Sequence, residues 1–181
     1  MKISSQPIKG VYFIELDSFE DKRGSFSRVF CTKELNTILN KERLVQINIS
    51  KNFQKGLIRG IHYQKKPYTE IKLINCIKGK IYDVVVDLRS NSNTFLKWCG
   101  YELSENDNKM LFIPKGCAHG FQTLTKESSI LYLHSEFYSP SYERGLNYKD
   151  PKININWPLP ISEVSSRDQK FEYLNNKFKG I

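Results

Sequence analysis

The sequence predicts an all-β domain, an antiparallel sandwich or barrel, and three observations predict it. Short apolar runs of strand length recur at close spacing, turn residues separate them, and only brief segments carry helical spacing. The first run spans residues 11–16. Asp21-Lys22-Arg23-Gly24 then offers a tight turn into a second run at 25–30, its glycine supplying the backbone freedom such turns need. Thr32 is placed to cap a short helix over 33–39, where apolar residues fall three and four apart. Strands follow at 44–49, 57–63 and 71–77. Lys78-Gly79-Lys80 turns the chain into 81–88, with Tyr82, Val84 and Val86 on one face. Further strands read at 96–102, 109–113, 120–123 and 129–137. From Asp150-Pro151 to Asp168 the chain is rich in turn residues, and it is expected to wrap the barrel before a short terminal helix.

Length and composition bound the rest. At 181 residues, with 39% hydrophobic and 26% charged residues, one folded domain over 1–181 with a full core is expected. No linker, repeat or low-complexity stretch divides it. No run of eighteen apolar residues is present, and Met1-Lys2-Ile3-Ser4-Ser5-Gln6-Pro7 lacks an apolar signal core, so a soluble cytoplasmic protein with no membrane partner is expected. Cys31, Cys76, Cys99 and Cys117 are far apart and form no Cys-x-x-Cys pair; free thiols in a reducing compartment follow. The net charge of +9, from 28 basic and 19 acidic residues, suits a surface for nucleic acid or a pocket for a small polyanion such as a nucleoside diphosphate. The lysines are scattered and no nucleic-acid motif accompanies them, so no nucleic-acid partner is expected.

The chain has three histidines, and two sit in distinctive surroundings. His62 lies in Arg59-Gly60-Ile61-His62-Tyr63-Gln64, and His119 in Pro114-Lys115-Gly116-Cys117-Ala118-His119-Gly120-Phe121. Imidazole is the side chain best suited to moving protons near neutral pH, and two such segments suggest one pocket built from two parts of a β-scaffold. Strict alternation puts Arg59 on the face opposite His62, so a pocket using both needs a bend or bulge near Gly60. Lys72, set between Ile71 and Leu73, needs a partner if it points into a barrel. Taken alone, Asp168 reads as a surface carboxylate, Tyr132 as barrel core and Glu163 as a solvated charge.

These residues stand in an order that resembles the dTDP-4-dehydrorhamnose 3,5-epimerase family of nucleotide-sugar epimerases. The likeness runs from Asp21-Lys22-Arg23-Gly24-Ser25-Phe26 through Gln46-Ile47-Asn48, 59–64, Lys72-Leu73, Val86-Asp87-Leu88-Arg89 and Phe95-Leu96-Lys97-Trp98. It continues through 113–121, Tyr138-Ser139-Pro140, Glu143, Asp150-Pro151 and Trp157-Pro158 to Ser165-Ser166-Arg167-Asp168. The resemblance implies a cupin-type jelly-roll barrel with a few short helices. It also implies inversion of carbon 3, carbon 5 or both in a nucleoside-diphosphate 4-keto-6-deoxy sugar, in deoxysugar or surface-polysaccharide synthesis. By resemblance His62 is the base, Asp168 its partner, Tyr132 the acid and Lys72 the cation near the carbon-4 oxygen. Gln46, Asn48, Arg59, His119, Tyr138, Glu143 and Arg167 match substrate-holding positions, Tyr138 by stacking on the nucleobase. Phe19, Arg23 and Arg28 belong to a segment, ending near residue 30, that in the family reaches the neighbouring subunit's pocket. A homodimer is therefore implied, and no cofactor or metal is required.

Two departures bear on specificity. Where the family usually has a base-contacting glutamate this chain has Arg28, and where it commonly has glutamine this chain has Glu70. Arginine accepts no hydrogen bond, so Arg28 cannot take the thymine imide hydrogen but could donate twice to a guanine edge. GDP and CDP carriers therefore stand beside dTDP. A 3,4-ketoisomerase would use similar chemistry. A metal-dependent cupin would draw on His62, His119 and Glu70, and a sugar-binding cupin would exchange no protons.

Overall fold

In the computed structural model, which describes residues 1–181, the strand-length runs pair into two facing sheets. The chain opens with β1 (Lys2–Ser5) and β2 (Tyr12–Glu15), then the hairpin β3 (Ser18–Asp21) and β4 (Gly24–Ser27), then α1 (Thr32–Leu39). β5 (Gln46–Asn52), β6 (Leu57–Gln64), β7 (Lys72–Lys78), β8 (Lys80–Asp87) and β9 (Trp98–Ser104) follow. β10 (Lys109–Ile113), β11 (Cys117–Thr123), β12 (Ser128–His134), β13 (Glu143–Gly145), β14 (Glu163–Val164) and α2 (Ser166–Gln169) complete it. One sheet has the order β1-β2-β10-β7-β12-β5, the other β13-β6-β11-β8-β9, with β14 running parallel to β6. Strands distant in sequence lie side by side in both, the jelly-roll arrangement of a cupin-type fold.

Alternation explains why both sheets are covered on both faces. On β7, Leu73 and the preceding Ile71 face outward and pack beneath Leu35 and Leu39 of α1, while Ile74 and Cys76 face inward against Val85, Phe121 and Ile130. Burying a leucine stabilises by about 1.5–3 kcal/mol, so Leu35 and Leu39 alone hold α1 firmly. On the second sheet Ile61, Tyr63, Val84 and Val86 face outward and are covered by Leu146, Ile153 and the C-terminal residues Phe178 and Ile181. All four cysteines are free, and burial pushes the Cys117 thiol up to about 12. No helix is long and apolar enough to cross a membrane.

Two local expectations are corrected. Thr32 does not cap α1 but begins it; Cys31 takes the cap position with extended backbone and no side-chain bond. The helix stops where Asn40 turns left-handed at φ 47°, a conformation asparagine tolerates. No terminal helix forms. Leu174, Phe178 and Ile181 have helical spacing, yet they pack on the second sheet from irregular chain, and the Ile181 N–H bonds the Leu88 carbonyl at 2.8 Å. The C-terminal helix is α2, capped by Ser165, whose hydroxyl accepts the Asp168 N–H.

Candidate active site

One end of the sandwich opens into a cavity of about 700 Å³, walled by β6 and β11 on one sheet, β5, β7 and β12 on the other, and α2 at the mouth. The bulge that alternation demands is present in β6. Across the β6–β11 ladder His62 faces His119 and Arg59 faces Phe121, so three steps on β6 match two on β11. Gly60 makes this possible: its φ is 112°, and a Cβ there would sit 2.6 Å from the Gly120 Cα. Arg59 and His62 consequently both line the cavity.

His62 Nε2 lies 2.7 Å from Asp168 Oδ1, while Asp168 Oδ2 accepts the Gly60 N–H at 3.2 Å. Burial opposes the charge on Asp168, but the His62 bond, the Gly60 N–H and nearby Arg167 together hold its carboxyl below the usual range. The ionised carboxylate accepts Nε2–H, which leaves Nδ1 as the nitrogen able to take a proton. Arg167 bonds Glu143 at 2.6 Å, and the Tyr138 hydroxyl donates to the same Glu143 oxygen at 2.7 Å.

Across the cavity stands Tyr132 of β12, edge-on to the His119 ring at 6.0 Å. Burial, helped by the charge of Asp83, raises its phenol above the ordinary range and keeps it protonated. His119 Nε2 pairs with Asp83 Oδ2 at 2.8 Å; Asp83 is fully buried and its other oxygen has no partner. Lys72 has the partner it needs: its Nζ lies 3.1 Å from Glu70 Oε1 and donates to the His62 carbonyl at 3.4 Å. Arg59 Nε donates to Asn52 at 2.7 Å, and Gln46 accepts the Tyr138 N–H at 3.1 Å.

The structure thus gathers His62, Asp168, Tyr132 and Lys72 around one space, with Gln46, Asn48, Arg59, His119, Tyr138, Glu143 and Arg167. Phe19, Arg23 and Arg28 do not line it. Phe19 is 70% exposed, Arg23 binds Asp21 within the hairpin, and Arg28 donates to Glu34 of α1 at 2.6 Å. The arginine expected at the base is engaged within its own chain. Glu163, read as a solvated charge, lines the mouth, because β14 lays it beside β6.

Asp83 and His134 were missed as members of the site, and Glu70 was read only as a departure from the family pattern and a candidate metal ligand. Asp83 shares the inward parity of Ile81 and Val85, a carboxylate where an apolar residue belongs, and that was the available signal. His134, two residues beyond Tyr132, shares its face; its Nδ1 bonds Glu70 at 2.7 Å and its ring stacks on Tyr132. Glu70 sits off any strand, so alternation could not aim it. His62, His119 and Glu70 are each engaged with a different partner, and no group of three or more metal-ligating side chains is assembled.

An imidazole–carboxylate pair facing a phenol, with a buried ammonium lining the same cavity, suits an enzyme class that shifts protons at carbon beside a carbonyl. The comparisons agree. A family model described as dTDP-4-dehydrorhamnose 3,5-epimerase matches residues 5–176. The dTDP-4-dehydrorhamnose 3,5-epimerase of Shigella flexneri is 40% identical over 94% of this chain and 96% of its own. The Bacillus anthracis enzyme of the same name, solved with TDP and PPi bound, superposes with a TM-score of 0.92 at 37% identity, covering 96% of this chain and 99% of that one. A Legionella pneumophila dTDP-6-deoxy-D-glucose-3,5-epimerase in complex with dTDP-4-keto-L-rhamnose gives 0.90 at 36% identity, over 95% and 92%. The chain belongs to the dTDP-4-dehydrorhamnose 3,5-epimerase family, epimerases of the isomerase class.

Proposed function

We propose that this protein inverts carbon 3, carbon 5 or both of a dTDP-linked 4-keto-6-deoxy sugar, with His62 as base and Tyr132 as acid. The observation that carries the reading is their placement on opposite sheets across one cavity. The carbon-4 ketone acidifies the hydrogens on its neighbours. His62 Nδ1 takes one such proton, and Asp168 stabilises the imidazolium that forms. Lys72 meets the enolate oxygen where charge develops. Tyr132 returns a proton from the other face, completing inversion. Each positioned acid or base contributes about 10²–10⁴-fold. Arg59, His119 and Arg167 offer donors to the diphosphate or sugar, Gln46, Asn48 and Glu143 polar contacts, and Tyr138 a ring for the nucleobase.

Family membership supports the dTDP carrier, as does the pairing of Arg28 with Glu34. The protein acts as a cytoplasmic homodimer. β5 is an edge strand whose outward Ile47 is 64% exposed, and the β3–β4 hairpin carries Phe19 and Phe26, 70% and 69% exposed. Edge strands and apolar patches of this kind are normally covered. A second copy covers them, the hairpin carrying Phe19 and Arg23 to the partner's cavity. Proton NMR in deuterated water with dTDP-, GDP- and CDP-linked 4-keto-6-deoxy sugars tests carrier and carbons together. Deuterium uptake at carbon 3 or 5 of the dTDP sugar is expected; no uptake with any carrier overturns the reading. Light scattering should give twice the chain mass.

A further inference from the structure

Glu70 reaches two cavity side chains at once. Its carboxylate is 10% exposed, with Oε1 3.1 Å from Lys72 Nζ and Oε2 2.7 Å from His134 Nδ1. Burial opposes its charge, yet the Lys72 ammonium and the His134 bond outweigh burial and pull the carboxyl below the usual range. An ionised carboxylate only accepts, so the hydrogen lies on His134 Nδ1. His134 Nε2 in turn lies 3.3 Å from the Asn48 amide nitrogen, which donates to it. A chain of contacts therefore runs from Asn48 on edge strand β5, through His134 and Glu70, to Lys72.

An ammonium has three N–H donors. Glu70 takes one and the His62 carbonyl, at 3.4 Å, a second. One remains. We infer that Glu70 is the positioning residue for Lys72, aiming that last N–H at the carbon-4 oxygen, and that His134, steadied by Asn48, braces Glu70. The inference rests on the proposed epimerase reaction, in which Lys72 meets the enolate. Lysine ends a flexible four-carbon stem, and a preorganised donor works only if held where charge develops. The role is one of aim rather than charge, because a negative charge beside Lys72 weakens its pull on an oxyanion. A neutral group of equal reach should therefore serve, and a charged group of shorter reach should not.

Three variants separate these roles: Glu70→Gln keeps reach and an acceptor, Glu70→Asp keeps charge but draws it back, and Glu70→Met keeps shape alone. Turnover is read as deuterium uptake, and binding as calorimetric Kd for dTDP-glucose, which has no ketone and cannot react. Glu70→Gln should stay within about threefold of wild-type kcat, whereas Glu70→Asp and Glu70→Met should lose at least about tenfold, the scale expected when a catalytic group is misplaced by around an ångström. All should bind dTDP-glucose within about twofold of wild type, since enolate charge is absent from the ground state. His134→Phe, which keeps the stack on Tyr132 but loses the Nδ1–H, should lower kcat by about three- to tenfold with Kd unchanged. Glu70→Asp matching or exceeding Glu70→Gln would assign the role to charge and overturn the inference. Wild-type kcat in all variants would do the same, as would Kd weakening in step with kcat. Should Glu70→Met fail to fold, the Gln-to-Asp order decides alone. A wild type that exchanges no proton fells the epimerase reading and this inference together, whereas the wrong order in an active protein fells only the inference.

Discussion

Two carboxylate–imidazole pairs face the same cavity and behave oppositely. His62–Asp168 and His119–Asp83 have nearly equal lengths, 2.7 and 2.8 Å, and both use Nε2. Their carboxylates are almost equally buried, at 3% and 0% exposure. Yet the Asp168 carboxyl is held below the usual range, and the Asp83 carboxyl is pushed above it. Burial is the largest influence on each and raises both; Asp83 lies deeper, and it has fewer donors to offset the penalty. Asp168 has His62, the Gly60 N–H and Arg167, whereas Asp83 has His119 and one oxygen with no partner. A carboxylate so supplied can stabilise an imidazolium during proton uptake. Asp83, buried with one oxygen unpaired, orients His119 instead, and burial together with its charge keeps the nearby phenol of Tyr132 protonated.

The largest expected effect separates the two imidazoles. His62→Asn should abolish deuterium uptake, a loss of at least about 10²–10⁴-fold, while His119→Asn should cost only about tenfold. Equal losses would break the comparison. Next comes Tyr132→Phe, which removes one hydroxyl. His62 can still abstract the proton, so exchange should persist at carbon 3 or 5 while inverted product falls by about 10²-fold. Full inversion by this variant would place the acid elsewhere.

A smaller effect tests the carboxylates through stability. The depressed pKa of Asp168 contributes stability above the ordinary carboxylate range, and that contribution is lost as pH falls through the folded value. The raised pKa of Asp83 works in reverse: it subtracts stability above its folded value, and the penalty is relieved as pH falls. Asp168→Asn should therefore lower Tm at pH 7 by about 2–4 °C, a gap that persists to about pH 4 and closes only below it. Asp83→Asn, which keeps an acceptor for His119, should leave Tm level or raise it at pH 7, the gain fading toward pH 4. Parallel shifts in the two variants would show that donor supply does not set the difference.

Much of the frame was legible because alternation is a strong constraint. The run at 109–113 forms β10 with those bounds, and Tyr82, Val84 and Val86 do share a face. The need for a bulge near Gly60 was also legible, because Arg59 and His62 could not otherwise meet. What escaped was set by groups distant in sequence. Leu174, Phe178 and Ile181 look helical locally but are claimed by the second sheet. Glu70 is aimed by His134 and Lys72 rather than by its own backbone period. The roles proposed for His62, Asp168, Tyr132 and Lys72 rest on family likeness; their residue types alone allowed a core tyrosine and a surface aspartate.

The smallest expected effect concerns Arg28, at the far end of the same scale of burial. The guanidinium is exposed and bound to Glu34, which also receives the N-terminal ammonium at 2.9 Å. These two cations depress the Glu34 carboxyl to about 2, the N-terminal ammonium most. Unlike Asp168, however, the Arg28–Glu34 pair opens to solvent on the arginine side, where ion pairs are screened and contribute little. Had Arg28 faced the base, Arg28→Glu would exchange a double donor for an acceptor and move the ratio of kcat/KM for dTDP- over GDP-linked sugar by tenfold or more, since a bidentate base contact discriminates by about 1–3 kcal/mol. With the guanidinium spent on Glu34, wild type should already prefer dTDP, and the substitution should shift that ratio by less than about threefold. A tenfold or larger shift toward dTDP would mean that Arg28 leaves Glu34 when two chains associate and reads the base in the partner's cavity.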